Sequence, residues 1–163
     1  WGHRAWGQGM RAYVQQTRKG RLIAEMGAGS ADIAEIVPNH RGKGKNLGTP
    51  PALEPESARF RLFDSITTFL KNASQSQPLM LVLDDLHWAD RSSLLLLESL
   101  ARELGDSRIL LVGCYRDIEL SRQHPLAETL ARLSREPVFR RQLLGGLGQE
   151  ELEIGRASCR ERV

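Results

Sequence analysis

The sequence predicts an α/β fold, a parallel sheet with flanking helices, and three observations predict it. The first is a continuous apolar run, Leu79-Met80-Leu81-Val82-Leu83, ended by two adjacent carboxylates, Asp84 and Asp85. A run of strand length without period-2 alternation reads as a strand buried on both faces, the habit of parallel sheets. The second is a similar run from Arg108 to Tyr115, centred on Ile109-Leu110-Leu111-Val112 and followed by Arg116-Asp117. The third is the leucine-rich helical segment between them. Strand, helix and strand in alternation imply parallel pairing through right-handed crossovers.

In chain order, residues 1–37 hold apolar positions at helical spacing: Met10, Tyr13 and Val14, then Leu22, Ile23 and Met26. A further short helix through Ile33, Ile36 and Val37 is stopped by Pro38. The Gly27-Ala28-Gly29-Ser30 segment lacks the ending of a phosphate-binding loop and follows no apolar strand. It reads as a turn, with Ser30 or Asp32 capping the next helix. Trp1, Trp6 and Tyr13 are expected to pack into this helical layer. Residues 38–55 form a Pro/Gly-rich linker interspersed with Arg41, Lys43 and Lys45.

A helix is expected to start at Pro55, a favoured first-turn residue, with Glu54 and Glu56 complementing its dipole. Its apolar face would comprise Phe60, Phe63, Ile66, Phe69 and Leu70, with Lys71 and Asn72 closing it before a polar turn at Ala73 to Pro78. After the first strand, Asp90 is placed to cap a helix from Arg91 to Leu104. Its leucines at 94, 97, 100 and 104 form a stripe, and Gly105 follows as a stop. Another helix spans Pro125 to Arg135, with Leu126, Leu130 and Leu133 inward. Val138 to Leu144 reads as a short third strand, and Gln149 opens a further helix.

Composition narrows the classes. A chain of 163 residues is about one domain. Its 40% apolar and 26% charged residues are ordinary for a soluble globular protein, which argues against disorder and membrane spans. No signal peptide is recognisable. Only Cys114 and Cys159 occur, so there is no disulfide framework, which fits a reducing cytoplasm. A net charge of +3 is too small to argue for nucleic acid.

The chemistry concentrates at Asp84 and Asp85. In open parallel sheets, ligands bind outside the carboxyl ends of the strands. Two neighbouring acids there raise one another's pKa unless a cation meets them. A hydrated Mg²⁺ carried by nucleotide phosphates is the natural partner, since Mg²⁺ takes one or two carboxylates and keeps several waters. The alternative is a buried strand whose acids only cap the next helix.

Several stretches together carry a family resemblance: Arg59-Phe60-Arg61-Leu62-Phe63, Leu81-Val82-Leu83-Asp84-Asp85-Leu86-His87-Trp88-Ala89-Asp90, Gly113-Cys114-Tyr115-Arg116-Asp117 and Leu144-Gly145-Gly146-Leu147. Residues 56–152 resemble the C-terminal half of the STAND-type ATPase domain, an AAA-like P-loop NTPase fold found in MalT-like and LuxR-type bacterial regulators. Residues 1–55 resemble that family's helical insertion and linker more loosely. The resemblance implies that Asp84 holds Mg²⁺ through water and that Asp85, beside the same metal, polarises the attacking water. It implies that Arg116 reads the γ-phosphate as the sensor-1 residue, so that ATP or ADP with Mg²⁺ is the ligand. The alternative for Arg116 is a salt bridge with Asp117 or Asp85. His87 and Trp88 would pack the turn after the Walker B strand.

The departures are equally informative. No Gly-x-x-x-x-Gly-Lys run followed by Ser or Thr occurs anywhere in the chain, so the Walker A strand and helix are lacking. In the family's 5-1-4-3-2 strand order, the missing strand sits between this chain's second and third strands. The sheet should therefore have an unfilled gap, or close wrongly, with apolar edges exposed. By that expectation these residues alone neither fold stably nor bind ATP with useful affinity. Residues 153–163 resemble the conceptual translation of a sequencing adapter and are set outside the fold. Three function classes stay open: a signalling ATPase switch, a non-catalytic interaction scaffold of the same fold, and a Mg²⁺-dependent hydrolase using Asp84 and Asp85 without nucleotide. In the first, helical, sensor and effector domains outside this segment would be the partners, with no membrane or direct nucleic-acid contact by the segment itself.

Overall fold

The computed structural model describes residues 4–36, 54–121 and 123–146. The 38–53 portion of the expected linker, the helix expected from Gln149, the 153–163 tail, Trp1 and Cys159 lie outside the described residues.

Three short helices open the described chain: α1 (Arg4–Gln16), α2 (Lys19–Met26) and α3 (Ser30–Ile36). Trp6, Met10 and Val14, spaced one helical turn apart, are buried on α1, and Leu22 and Met26 are buried on α2. Between α2 and α3 the Gly27–Gly29 segment makes a 3-10 turn, as a turn was expected there. Gly29 lets this turn press on the following long helix, because a Cβ there would stand 2.7 Å from the Ser65 Cβ and Oγ. Asp32 serves a different purpose from the expected cap. It accepts from Arg61 Nε at 3.0 Å and Ser65 Oγ at 3.0 Å, tying α3 to that same long helix.

That helix, α4 (Pro55–Ser76), begins at the expected proline but runs beyond the expected close at Lys71-Asn72. The reason is tertiary. Ala73 and Ser74 are fully buried, and the Asn72 side chain donates to the Glu25 carbonyl of α2 at 2.9 Å, so packing prolongs the helix. Phe63, Ile66, Phe69 and Leu70 form its buried face. Phe60, expected on that face, is instead 60% exposed, because no described element covers that turn.

The sheet has two strands, β1 (Leu79–Leu83) and β2 (Ile109–Gly113), paired in parallel with Leu79 opposite Ile109 and Leu83 opposite Gly113. The expectation of burial on both faces needs correction. Leu79, Leu81, Ile109 and Leu111 pack against the core, while Met80, Val82 and Leu110 stand more than half exposed. A continuous apolar run shows that both faces can be covered, but covering them takes elements on both sides. Among the described residues one face remains open.

Helix α5 (Arg91–Arg102) connects the strands. Asp90 caps it as expected, accepting from Ser93 N at 2.9 Å and Ser93 Oγ at 2.9 Å. Leu94, Leu96, Leu97 and Leu100 are buried, and the Trp6 indole donates to the Ser93 carbonyl at 3.1 Å, fastening α1 to α5. The helix stops at Arg102 rather than Leu104, where Glu103 N turns back to the Leu100 carbonyl. Helix α6 (Pro125–Leu133) ends short of the expected Arg135. It is capped by His124 Nδ1, which accepts from Leu126 N at 3.1 Å. Buried Glu98 of α5 holds α6 by accepting from Thr129 Oγ1 at 2.8 Å and from Arg132.

The third strand expected over Val138–Leu144 does not form: the described sheet is two-stranded and this segment is irregular. Leu143 and Leu144 are largely exposed, and the Arg140 guanidinium donates to the carbonyls of Pro137 and Phe139 within the same segment. A strand needs a ladder partner for its N–H and C=O groups. The expected partner is the strand preceding a phosphate-binding loop, and no such loop sequence is present.

Candidate functional site

The parallel register decides what meets what. Beyond the paired strands, Cys114 N donates to the Leu83 carbonyl at 2.8 Å, and Leu86 N donates to the Cys114 carbonyl at 2.9 Å. Asp84 and Asp85 therefore leave β1 at the same end of the sheet at which Arg116 leaves β2. All three residues are exposed.

Asp84, itself exposed, has one carboxylate oxygen engaged: Oδ1 accepts from Asp85 N at 3.0 Å, and no hydrogen bond to Oδ2 occurs among the described residues. Asp85 adopts φ 51° and ψ 43° and is the one non-glycine residue with positive φ among the described residues. Aspartate tolerates this left-handed conformation better than most residues. The kink sends the chain from the strand into a 3-10 turn, Leu86–Trp88, and drives Leu86 into the core. Gly113 makes room for it, since a Cβ on that residue would lie 2.5 Å from Leu86 Cδ1.

Within the turn, His87 and Trp88 separate. His87 is buried, with Nε2 3.7 Å from Asp85 Oδ1 and Nδ1 buried without a hydrogen-bond partner among the described residues. Trp88 is 78% exposed, so the expectation that both pack the turn holds for His87 alone. The sequence placed His87 in the packing of this turn, and nothing in its spacing distinguishes a merely packed ring from one set 3.7 Å from a carboxylate.

On β2, the alternative of an Arg116 salt bridge is not what the structure contains. Asp117 pairs with Arg141 at 2.7 Å, and the Arg141 guanidinium lies over the Tyr115 ring, 5.7 Å from its centroid. Among the described residues no side chain pairs with Arg116, which leaves its guanidinium available to a ligand.

Oxygen donors of this kind suit a hard, hydrated cation shared with phosphates better than a metal held by protein alone. Among the described residues no group of three or more His, Cys, Asp and Glu side chains comes together, so a closed Zn²⁺ or Ca²⁺ cage is not what this end of the sheet builds. The phosphate-binding half of such a site has no counterpart in the sequence. A cavity of about 550 Å³ runs along β1, lined by Trp6, Met10, Tyr13, Phe69 and Leu70, with Asp84 as its one charged lining residue. Its walls suit apolar groups, not a polyphosphate.

Among the described residues no helix is long and apolar enough to cross a membrane. No curated protein and no solved structure matches the chain. A family model described as the AAA ATPase domain matches residues 4–112, from the start of α1 into β2, and so includes Asp84 and Asp85 but stops before Arg116. With that match over more than half of its length, and a parallel sheet flanked by helices beneath it, the chain belongs to the AAA ATPase domain family.

Proposed function

We propose that this chain is the Walker B and sensor-1 half of an ATP-binding and ATP-hydrolysing signalling switch, of the STAND type found in bacterial regulators. One observation carries the reading: the parallel register sets two exposed carboxylates and an unpaired arginine at the same carboxyl end of the sheet. Asp84 would hold a hydrated Mg²⁺ through its free oxygen, while its other oxygen holds the Asp85 peptide. Asp85, beside it, orients and polarises the attacking water. Arg116 supplies positive charge toward the terminal phosphate, so that ATP and ADP are told apart by the group it reads. Mg²⁺, when bound, neutralises phosphate charge, and phosphoryl transfer then depends mostly on positioning. The phosphate cradle is assigned to a strand and helix encoded before residue 1. Helical, sensor and effector domains beyond this segment would receive the switch, in the cytoplasm and without membrane or direct nucleic-acid contact by the segment itself.

The absence of a phosphate-loop lysine favours one second reading, an interaction scaffold of the same fold without catalysis. Calorimetric titration of ATP with Mg²⁺ separates the two. The comparison is between these 163 residues and the same chain extended upstream along its own gene. Binding by the extended chain alone, weakened roughly tenfold by Asp84→Asn (about 1.4 kcal/mol), supports the switch. Failure of the extended chain to bind leaves the scaffold. Tight, Mg²⁺-dependent binding by the short chain would show that the cradle is not where this reading puts it.

A further inference from the structure

We propose that His87 is a positioning residue for Asp85, its Nε2–H directed at Asp85 Oδ1 so that the carboxylate is held in one orientation. The functional half of this proposal rests on reading Asp85 as the water-orienting carboxylate. The structural half does not.

The argument begins with cost. The His87 side chain is 3% exposed and rests in the core beside Leu86. Burying an imidazole is unfavourable compared with burying a phenyl ring, since each polar atom gives up water. If packing were its whole purpose, an apolar ring would serve better. A neutral imidazole has one N–H donor and one acceptor nitrogen. Among the described residues Nδ1 has no hydrogen-bond partner, and Nε2 lies 3.7 Å from a carboxylate oxygen. A proton on Nδ1 would bury an unpaired donor and turn the Nε2 lone pair toward Asp85. A proton on Nε2 leaves Nδ1 a buried unpaired acceptor, but it turns the ring's one donor toward the carboxylate and removes the repulsion between the Nε2 lone pair and Asp85. Geometry thus selects the Nε2–H tautomer.

The separation is longer than a formed hydrogen bond. Catalytic hydrogen bonds are often long before ligand arrives and tighten on binding. Asp85 can make that adjustment only through its side chain. Its peptide is fixed by Asp84 Oδ1 and by the left-handed turn, and its carbonyl accepts from Trp88 N at 2.9 Å. The imidazole itself has little freedom, being buried and set against the Trp88 ring with centroids 5.5 Å apart. A fixed donor therefore meets an exposed carboxylate with one remaining degree of freedom. Groups that orient the side chains of a metal site from behind commonly contribute ten- to a hundredfold.

The test uses the full-length protein encoded by the gene, labelled with ¹⁵N-histidine and examined by long-range ¹H–¹⁵N correlation at mildly alkaline pH. The His87 signals are assigned by their loss in His87→Gln. The expected result is a proton on Nε2, and an Nε2 resonance that moves in Asp85→Asn while Nδ1 stays in place. A proton on Nδ1, or a ring indifferent to Asp85→Asn, overturns the proposal. ATP turnover supplies the second readout. His87→Phe keeps the ring and removes the donor, and should lower kcat roughly tenfold with KM nearly unchanged. His87→Gln, whose amide can place an N–H near the Nε2 position, should restore much of it. An unchanged kcat in His87→Phe also overturns the proposal. If the wild-type protein turns over no ATP, it is the ATPase reading that fails, and the spectrum still decides whether His87 holds Asp85.

Discussion

At Asp85 the backbone takes φ 51°, a conformation in which a Cβ meets the neighbouring carbonyl and which glycine adopts without penalty. Asp85 occupies it because Leu86 must enter the core directly after the strand, and because Asp84 Oδ1 satisfies the Asp85 peptide N–H. Strain of this kind at the end of a β-strand, beside a candidate ligand, is where strained residues tend to cluster. It also gives a prediction. Asp85→Gly should unfold at a higher urea midpoint than Asp85→Ala, by about 0.5–1 kcal/mol, since both remove the carboxylate and only glycine relieves the backbone. Equal midpoints would mean that the left-handed turn is not kept in solution.

Between elements, the N-terminal helices are fastened by a small polar cluster. Tyr13 of α1 donates to one oxygen of the buried Glu25 carboxylate of α2 at 3.0 Å, and Arg21 donates to the other oxygen at 2.6 Å and to the Tyr13 hydroxyl at 3.3 Å. Burial, and then the hydrogen bond to Glu25, hold the Tyr13 phenol above its ordinary value. Below pH about 10 the phenol is protonated in folded and unfolded chains alike, so its contribution is fully present. As pH rises further the unfolded chain ionises first, and stability falls until the folded phenol ionises too. Tyr13→Phe should therefore cost about 0.5–1 kcal/mol at neutral pH. It should also unfold with a smaller loss between about pH 9 and 11 than the parent. Urea midpoints across that range check both parts. Parallel pH curves for the two proteins would remove Tyr13 from the account.

At the scale of the whole fold, the two-stranded sheet leaves an apolar face that no other described residue covers. Met80 and Leu110 are paired in register across β1 and β2 and are 64% and 58% exposed. An apolar strand pair left open this way favours association. Replacing the pair with opposite charges, Met80→Lys with Leu110→Glu, should reduce concentration-dependent association in sedimentation velocity. The cross-strand pair should hold the stability cost to within about 1 kcal/mol. Loss of the urea transition in the double variant would instead show that this face is covered in solution.

The sequence by itself carried the parallel pairing, the helix starts at Pro55 and Pro125, the Asp90 cap and the placement of two acids at a strand's carboxyl end. The helix starts, the cap and the strand-end acids rest on short-range physics, and the parallel pairing follows from the strand–helix–strand order. Apolar runs, fixed proline φ and side-chain oxygens near free N–H groups act within a few residues. What it misjudged depends on distant partners. Phe60 is exposed, the Leu79–Leu83 strand has one open face, α4 continues to Ser76, and Val138–Leu144 forms no strand. Each of these outcomes turns on whether another element lies alongside, which no local pattern encodes. The site divides in the same way. Asp84, Asp85 and Arg116 could be named from motif and strand ends, but their convergence comes from the β1–β2 register. The freedom of Arg116 depends on Arg141 pairing with Asp117, and the role of His87 on a buried ring meeting a left-handed aspartate. Only the tertiary structure decides such contacts, because they join residues whose spacing along the chain says nothing about their distance in space.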